Sequence, residues 1–254
     1  MAKQRSIARR PREATEHRHP ETESNVRALF GWSPLGHGDG EDDSRDQRFV
    51  RTIKPRSAGQ EILIEAINAK PLVCALGPAG TGKTYLAIAK AVEALEAGRV
   101  SRIVLSRPAV EAGESIGFLP GHMEDKLAPY LRPLMDALSD RLSPKRLKMM
   151  MSEGVIEIAP VGFMRGRTLN NAFVVIDEAQ NCTYGQLKML LTRLGWHSTM
   201  VVTGDPNQTD LLPELSGLGQ IANALEQLPD VAVVRLKDAD IVRHPLVASM
   251  LGVL

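Results

Sequence analysis

Two carboxylates side by side, Asp177 and Glu178, close the run "FVVIDEAQN". Four apolar residues precede them, which places the pair at the tip of an expected strand. Neighbouring side chains on a strand point opposite ways, so the two can serve different tasks. One carboxylate can hold a divalent cation, usually through water, while the other polarises an attacking water. Asp177 suits the first task and Glu178 the second. Alone, the pair reads equally well as an acidic junction at a helix N-terminus, where negative charge is favoured.

A second stretch weights the choice. "GPAGTGKT" fits G-x-x-x-x-G-K-[ST] at Gly77, Gly82, Lys83 and Thr84. Glycines let backbone N–H groups curl around phosphate oxygens, so Gly77, Pro78, Ala79, Gly80, Thr81 and Gly82 form the expected cradle, with Tyr85 just beyond it. Lys83 would reach the β- and γ-phosphates, and Thr84 would ligate Mg²⁺ beside Asp177. The helix that follows aims its N-terminus at the anion. The chemistry is phosphoryl transfer from ATP, with Mg²⁺ as cofactor and hydrolysis as the reaction. A third stretch, "MVVTGDPNQTD", ends a strand in Thr203-Gly204-Asp205. Its Gln208 could bond both the γ-phosphate and the attacking water, because an amide donates and accepts. The plain alternative is a Gly-Asp-Pro-Asn turn.

Strands must carry these groups. Near-continuous apolar runs mark them: "PLVCAL", "RIVLSRP", "VIEIAP", "AFVVIDEAQ", "STMVVTGD" and "VAVVRL". Helical patterns alternate with them. "SAGQEILIEAINA" has Ser57 as N-cap and Gln60 at the capping-box position. "KTYLAIAKAVEALEAG" stops at Gly98, and "TYGQLKMLLTRLG" and "LSGLGQIANALEQL" follow later. The stretch Met123 to Glu153 reads as helix that Pro129 and Pro133 break or kink. Alternation of this kind predicts an α/β fold with a mostly parallel sheet and helices on both faces. The strand C-termini should then share one edge, where ligands bind.

Composition sets the bounds. The 254 residues carry a net charge of +1, with the basic excess in the first 56 residues, so any nucleic-acid site must be a local patch. Residues 1–54 read as a disordered charged tail, and 55–254 as the folded domain. No apolar run reaches the roughly 20 residues a membrane span needs, so no membrane partner is expected. Cys74 and Cys182 have no metal or redox spacing, which fits a reducing cytoplasm.

Taken together, "GPAGTGKTYLA", "SRPAVEAGESIGFLPG", "FMRGRTLNNAFVVIDEAQN", "TGDPNQTDL" and "DIVRHPLV" resemble the PhoH family of P-loop ATPases, itself similar to superfamily-one helicase cores. The resemblance covers about Ser57 to Leu254. It implies a RecA-like P-loop NTPase fold, ATP binding and hydrolysis, a link to RNA metabolism, and ring-shaped homo-oligomers, hexamers foremost. The leading functional expectation is then an ATPase that works on single-stranded RNA, as a translocase, a remodeller or helicase, or a helper to a ribonuclease partner. It also implies that Gln60 reads adenine, against the capping-box alternative, and that Arg243 is an arginine finger, against a surface Arg before Pro245. Arg107, Arg165 and Arg167 are candidates for RNA or subunit contacts, or equally ion-paired surface residues. The family's additional N-terminal module has no counterpart in the short polar tail. Only about 45 residues follow Gln208, too few for a second RecA-like domain, so a ring would place ATP between protomers. The alternative function is an ATP-dependent protein switch with no nucleic acid.

Overall fold

The computed structural model describes residues 53–108, 123–212 and 215–242. The charged tail, apart from its last two residues, therefore lies outside the described residues, as does Arg243.

The first helix, α1 (Ala58–Ala69), starts where Ser57 accepts the Gln60 N–H. It buries Gln60, Leu63 and Ile67, which recur at helical spacing. The wholly buried strand β1 (Leu72–Leu76) follows and runs into the P-loop and α2 (Lys83–Glu96). Gly98 ends that turn in the left-handed conformation at φ 66°. Strand β2 (Arg102–Ser106) is next, then α3 (Met123–Ser139), α4 (Pro144–Ser152), β3 (Ile156–Ile158) and β4 (Ala172–Ile176). The chain closes with α5 (Tyr184–Leu191), β5 (Thr199–Gly204), α6 (Leu218–Leu225) and β6 (Val231–Arg235).

All six strands are parallel, in the order β3-β2-β4-β5-β1-β6. One face packs Val73, Ile103, Leu105, Val175 and Val201 against Leu63, Ile88, Leu134, Leu138 and Leu147 of the first four helices. The other packs Cys74, Val104, Val174 and Val202 against Leu187 and Ile221 of α5 and α6. Each fully buried aliphatic side chain contributes about 1.5–3 kcal/mol, so this two-faced core fixes the strand tips in register.

Three boundaries differ from the sequence expectation. Helix α3 runs past Pro129 and Pro133, and the break falls at 140–143. Ser143 starts α4 as N-cap, with Pro144 at the first helical position where its missing N–H costs nothing. Helix α5 stops at Leu191, short of Gly195. There Thr192 and Arg193 both donate to the Met189 carbonyl, and Gly195 abuts the Leu169 backbone. Helix α6 is shorter than its apolar pattern at both ends.

Candidate active site

Helix α2 has no side-chain cap and no acidic residue in its first turn. A 14-residue helix would ordinarily have its first N–H groups satisfied by a cap. Here the N-cap is Gly82, at φ 83° and ψ 13°, which has no side chain to offer them. Gly77 (φ 141°) and Gly80 (φ 85°) adopt backbone that L side chains resist. A Cβ on Gly77 would also stand 2.4 Å from the Leu236 carbonyl oxygen. The loop is held from outside as well. The Gly77 N–H donates to the Gly204 carbonyl, and the Val242 N–H to that of Gly80.

Lys83 places its ammonium inside the cradle, donating to the carbonyls of Gly77 (2.6 Å) and Pro78 (2.8 Å). Burial pulls its pKa below the ordinary lysine value, while Asp205, Glu178 and Asp177 oppose that shift. Thr84 Oγ1 donates to Asp177 Oδ1 at 2.6 Å. Thr203 Oγ1, from β5, donates to the same oxygen at 2.7 Å. Asp177 is 2% exposed, so this hydroxyl pair is what orients it. Its other oxygen lies 3.4 Å from the Arg107 guanidinium, which also reaches Glu178 at 3.6 Å. Arg107 thus holds two adjacent anions together from the tip of β2.

Glu178 sits in left-handed backbone, φ 50° and ψ 43°, a conformation that is costly for a residue with a Cβ. Gln180 holds that side chain: Nε2 donates to Glu178 Oε2, while Oε1 accepts the Asp205 N–H at 3.1 Å. Gln180 is 4% exposed and lies against Gly204, whose missing Cβ makes room for Oε1. Its carbonyl accepts from Thr209 and Ser216. Asn181 and Asp210 pair in both directions at 2.8 Å. The tip of β4 and the loop after β5 are therefore one hydrogen-bonded unit.

The other candidate residues fall as follows. Gln208 is exposed beside this unit, with its N–H on the Asp205 carbonyl and no side-chain hydrogen bond among the described residues. The Gln60 amide spends both ends on the chain: Nε2 donates to the Thr81 carbonyl and Oε1 accepts the Arg56 N–H. It neither closes a capping box nor points away from the P-loop. Gln60, Arg56, Tyr85, Gly80, Ile53 and Val242 line a cavity of about 850 Å³, wide enough for a nucleoside. Tyr85, 40% exposed, offers it an aromatic ring. Arg167 clamps Glu157 with two bonds of 2.6 Å, so it serves the fold. Arg165 is exposed and unpaired among the described residues. Gln180 and Arg107 are the site residues whose roles the sequence did not disclose. The amide two places beyond a carboxylate pair was the available sign of the first.

A P-loop, a carboxylate pair at a strand tip, and an all-parallel sheet with β5 inserted between β1 and β4 define a RecA-like P-loop NTPase fold. The large terminase of a thermophilic bacteriophage shares that fold, with a TM-score of 0.51 at 12% identity over 78% of this chain and 50% of that one. The chain belongs to the PhoH-like protein family, whose model matches residues 52–254. The PhoH-like protein of Mycobacterium bovis is 54% identical over 204 residues, which are 80% of this chain and 58% of the relative. Protein PhoH of Escherichia coli is 40% identical over 243 residues, 94% of this chain and 67% of that protein. The chain thus spans well under two thirds of the mycobacterial relative's length.

Among the described residues no helix is long and apolar enough to cross a membrane. None groups three or more His, Cys, Asp or Glu as a metal cluster. The Thr84 hydroxyl and Asp177 carboxylate nevertheless suit Mg²⁺, a hard cation that takes few protein oxygens and keeps its waters.

Proposed function

We propose that the protein is a Mg²⁺-dependent ATPase that couples hydrolysis to work on single-stranded RNA. It acts in the cytoplasm as a homo-oligomeric ring, hexameric by its family resemblance, with a ribonuclease as a partner. The observation that carries the hydrolytic reading is the cluster Thr84–Asp177–Arg107–Glu178–Gln180, built from the start of α2 and the tips of β2 and β4 around one P-loop. Backbone N–H groups of the loop and the start of α2 bind the triphosphate. Lys83 moves from the loop carbonyls to the β- and γ-oxygens. Thr84 and Asp177 would hold Mg²⁺, which would supply neutralisation of the phosphate charge. Glu178, aimed by Gln180, accepts the proton of the water that attacks the γ-phosphorus, as the bond from that phosphorus to the departing ADP oxygen breaks and ADP and phosphate are released. Gln208 stands at the same edge to sense the γ-phosphate. Tyr85 and Gln60 take the base in the adjoining cavity, Gln60 by exchanging one of its present partners.

Support for RNA is local. Phe163 is 48% exposed, and Arg165, two residues on, is exposed and unpaired among the described residues; both lie on the turn that follows β3. Arg243 is proposed as the arginine finger. Its chain neighbour Val242 is tied to Gly80 of the P-loop.

The test is Glu178→Gln, assayed with and without a short single-stranded oligoribonucleotide. ATP binding should persist while turnover drops roughly a thousandfold. Wild-type turnover should rise with RNA. Normal hydrolysis by Glu178→Gln would remove the general base. Turnover indifferent to RNA at every salt concentration would favour a protein switch.

A further inference from the structure

The opposite edge of the sheet, where the strands begin, carries a cleft of about 520 Å³ that the ATP site does not use. Its lining includes Lys70, Lys90, Arg99, Trp196 and His197, and no carboxylate. Lys70 rests on the Pro229 carbonyl at 2.7 Å, a neutral partner that leaves its charge uncancelled. Glu93, just outside, pairs closely with Lys90 at 2.8 Å and only loosely with Arg99 at 3.8 Å. Arg99 is about half exposed. Among the described residues the cleft therefore presents an excess of positive charge.

Trp196 is 81% exposed in a chain that is only 4% aromatic. Its turn is rigidly built. The Trp196 N–H donates to Asn170 Oδ1, the Asn171 N–H to the Trp196 carbonyl, and Ser198 Oγ to the Leu169 carbonyl. Asn171 and His197 both take left-handed backbone, φ 50° and 56°, on the two sides of that contact. Gly195 must lack a Cβ, which would meet Asn170 and the Leu169 backbone. A large ring held out on a fixed turn loses little freedom when something stacks on it.

A flat aromatic face beside spaced cations matches one ligand chemistry best: a nucleobase with its phosphates. We propose that this cleft is a second contact for a single-stranded nucleic acid, with a base on Trp196 and the backbone along Lys70 and Arg99. It rests on the reading that the protein handles single-stranded RNA, and adds a site remote from the strand tips.

The sequence holds two tryptophans, so Trp32→Phe leaves Trp196 as the sole reporter. The emission of this full-length variant is followed while oligouridylate, oligothymidylate, a duplex or oligoglutamate is added, with labelled-oligonucleotide anisotropy in parallel. Saturable quenching by either single strand, weakened by salt, is the expected result. Stronger quenching by oligouridylate identifies RNA, and equal quenching identifies single strands in general. Trp196→Ala and Lys70→Glu/Arg99→Glu should each weaken binding roughly tenfold, leaving melting temperature and RNA-free turnover unchanged. Three results overturn the inference. Anisotropy showing bound oligonucleotide with unchanged Trp196 emission would do so while leaving the proposed function intact. Quenching by oligoglutamate alone would assign the cleft to an acidic protein. No oligonucleotide binding, together with RNA-independent turnover, would remove both readings.

Discussion

At the scale of single residues, few groups hold the Glu178 carboxylate, the proposed base, in place. Glu178 pays for left-handed backbone only because Gln180 and Arg107 fix it from two sides. Gln180 is the sharper test, since its amide also satisfies the buried Asp205 N–H. Gln180→Ala should cost about 1–3 kcal/mol of stability by leaving that donor unpaired. Turnover should fall on the order of a hundredfold through a misplaced base, with ATP affinity nearly kept. Chemical denaturation and nucleotide titration measure the two effects separately. Turnover that matches wild type would mean that Glu178 is aimed without Gln180.

At the scale of elements, the two helices that frame the P-loop differ at their N-termini, and the difference follows their roles. Helix α2 is left uncapped toward the phosphates, whereas α1 is capped twice. Ser57 takes the Gln60 N–H, and Asp240, from the far end of the chain, takes the Gly59 N–H at 3.1 Å. Gly59 permits this approach, because a Cβ there would overlap the Asp240 carboxylate. The Lys237 N–H, then the Ser57 hydroxyl and the Gly59 N–H, hold the Asp240 carboxyl below its ordinary pKa. A depressed carboxylate stabilises the fold above its unfolded pKa of about 3.9 and loses that contribution as pH falls through the folded value. Asp240→Asn should therefore lower stability by about 1 kcal/mol near neutral pH. The difference from wild type should shrink below about pH 4. Thermal melts across that range check it, and a constant difference at all pH values would show that the charge is not the cause.

At the scale of the whole molecule, one RecA-like sheet supplies the P-loop and the residues proposed as metal ligands and base. Within the described residues, the cavity at the P-loop has no second domain across from it. The proposed ring answers that by placing a neighbour there. Light scattering should give a mass several times that of the 27.7 kDa chain. Turnover per chain should fall on dilution as the ring dissociates, and Arg243→Ala should be rescued in part by mixing with Lys83→Ala chains. A monomer with full turnover at every concentration would defeat the ring.

The sequence by itself determined the chemistry that is local in the chain. The P-loop spacing, the carboxylates at the end of an apolar run and the alternation of strands and helices are all patterns of neighbours, so they could be read without a structure. The strand ends that bear Asp177 and Thr203, and the helix that begins at Lys83, followed from the same periodicity. What the tertiary structure decided is how those tips meet. Arg107 bridges to Asp177 across 70 residues, and Asp240 reaches Gly59 across 181. Only the order of strands, with β5 between β1 and β4, sets Thr203 on Asp177 and Gln180 beneath Asp205. The same holds for the basic cleft. Trp196 looks like an ordinary turn residue until the sheet brings Lys70 and Arg99 beside it, because cross-strand neighbours are set by register and not by spacing along the chain.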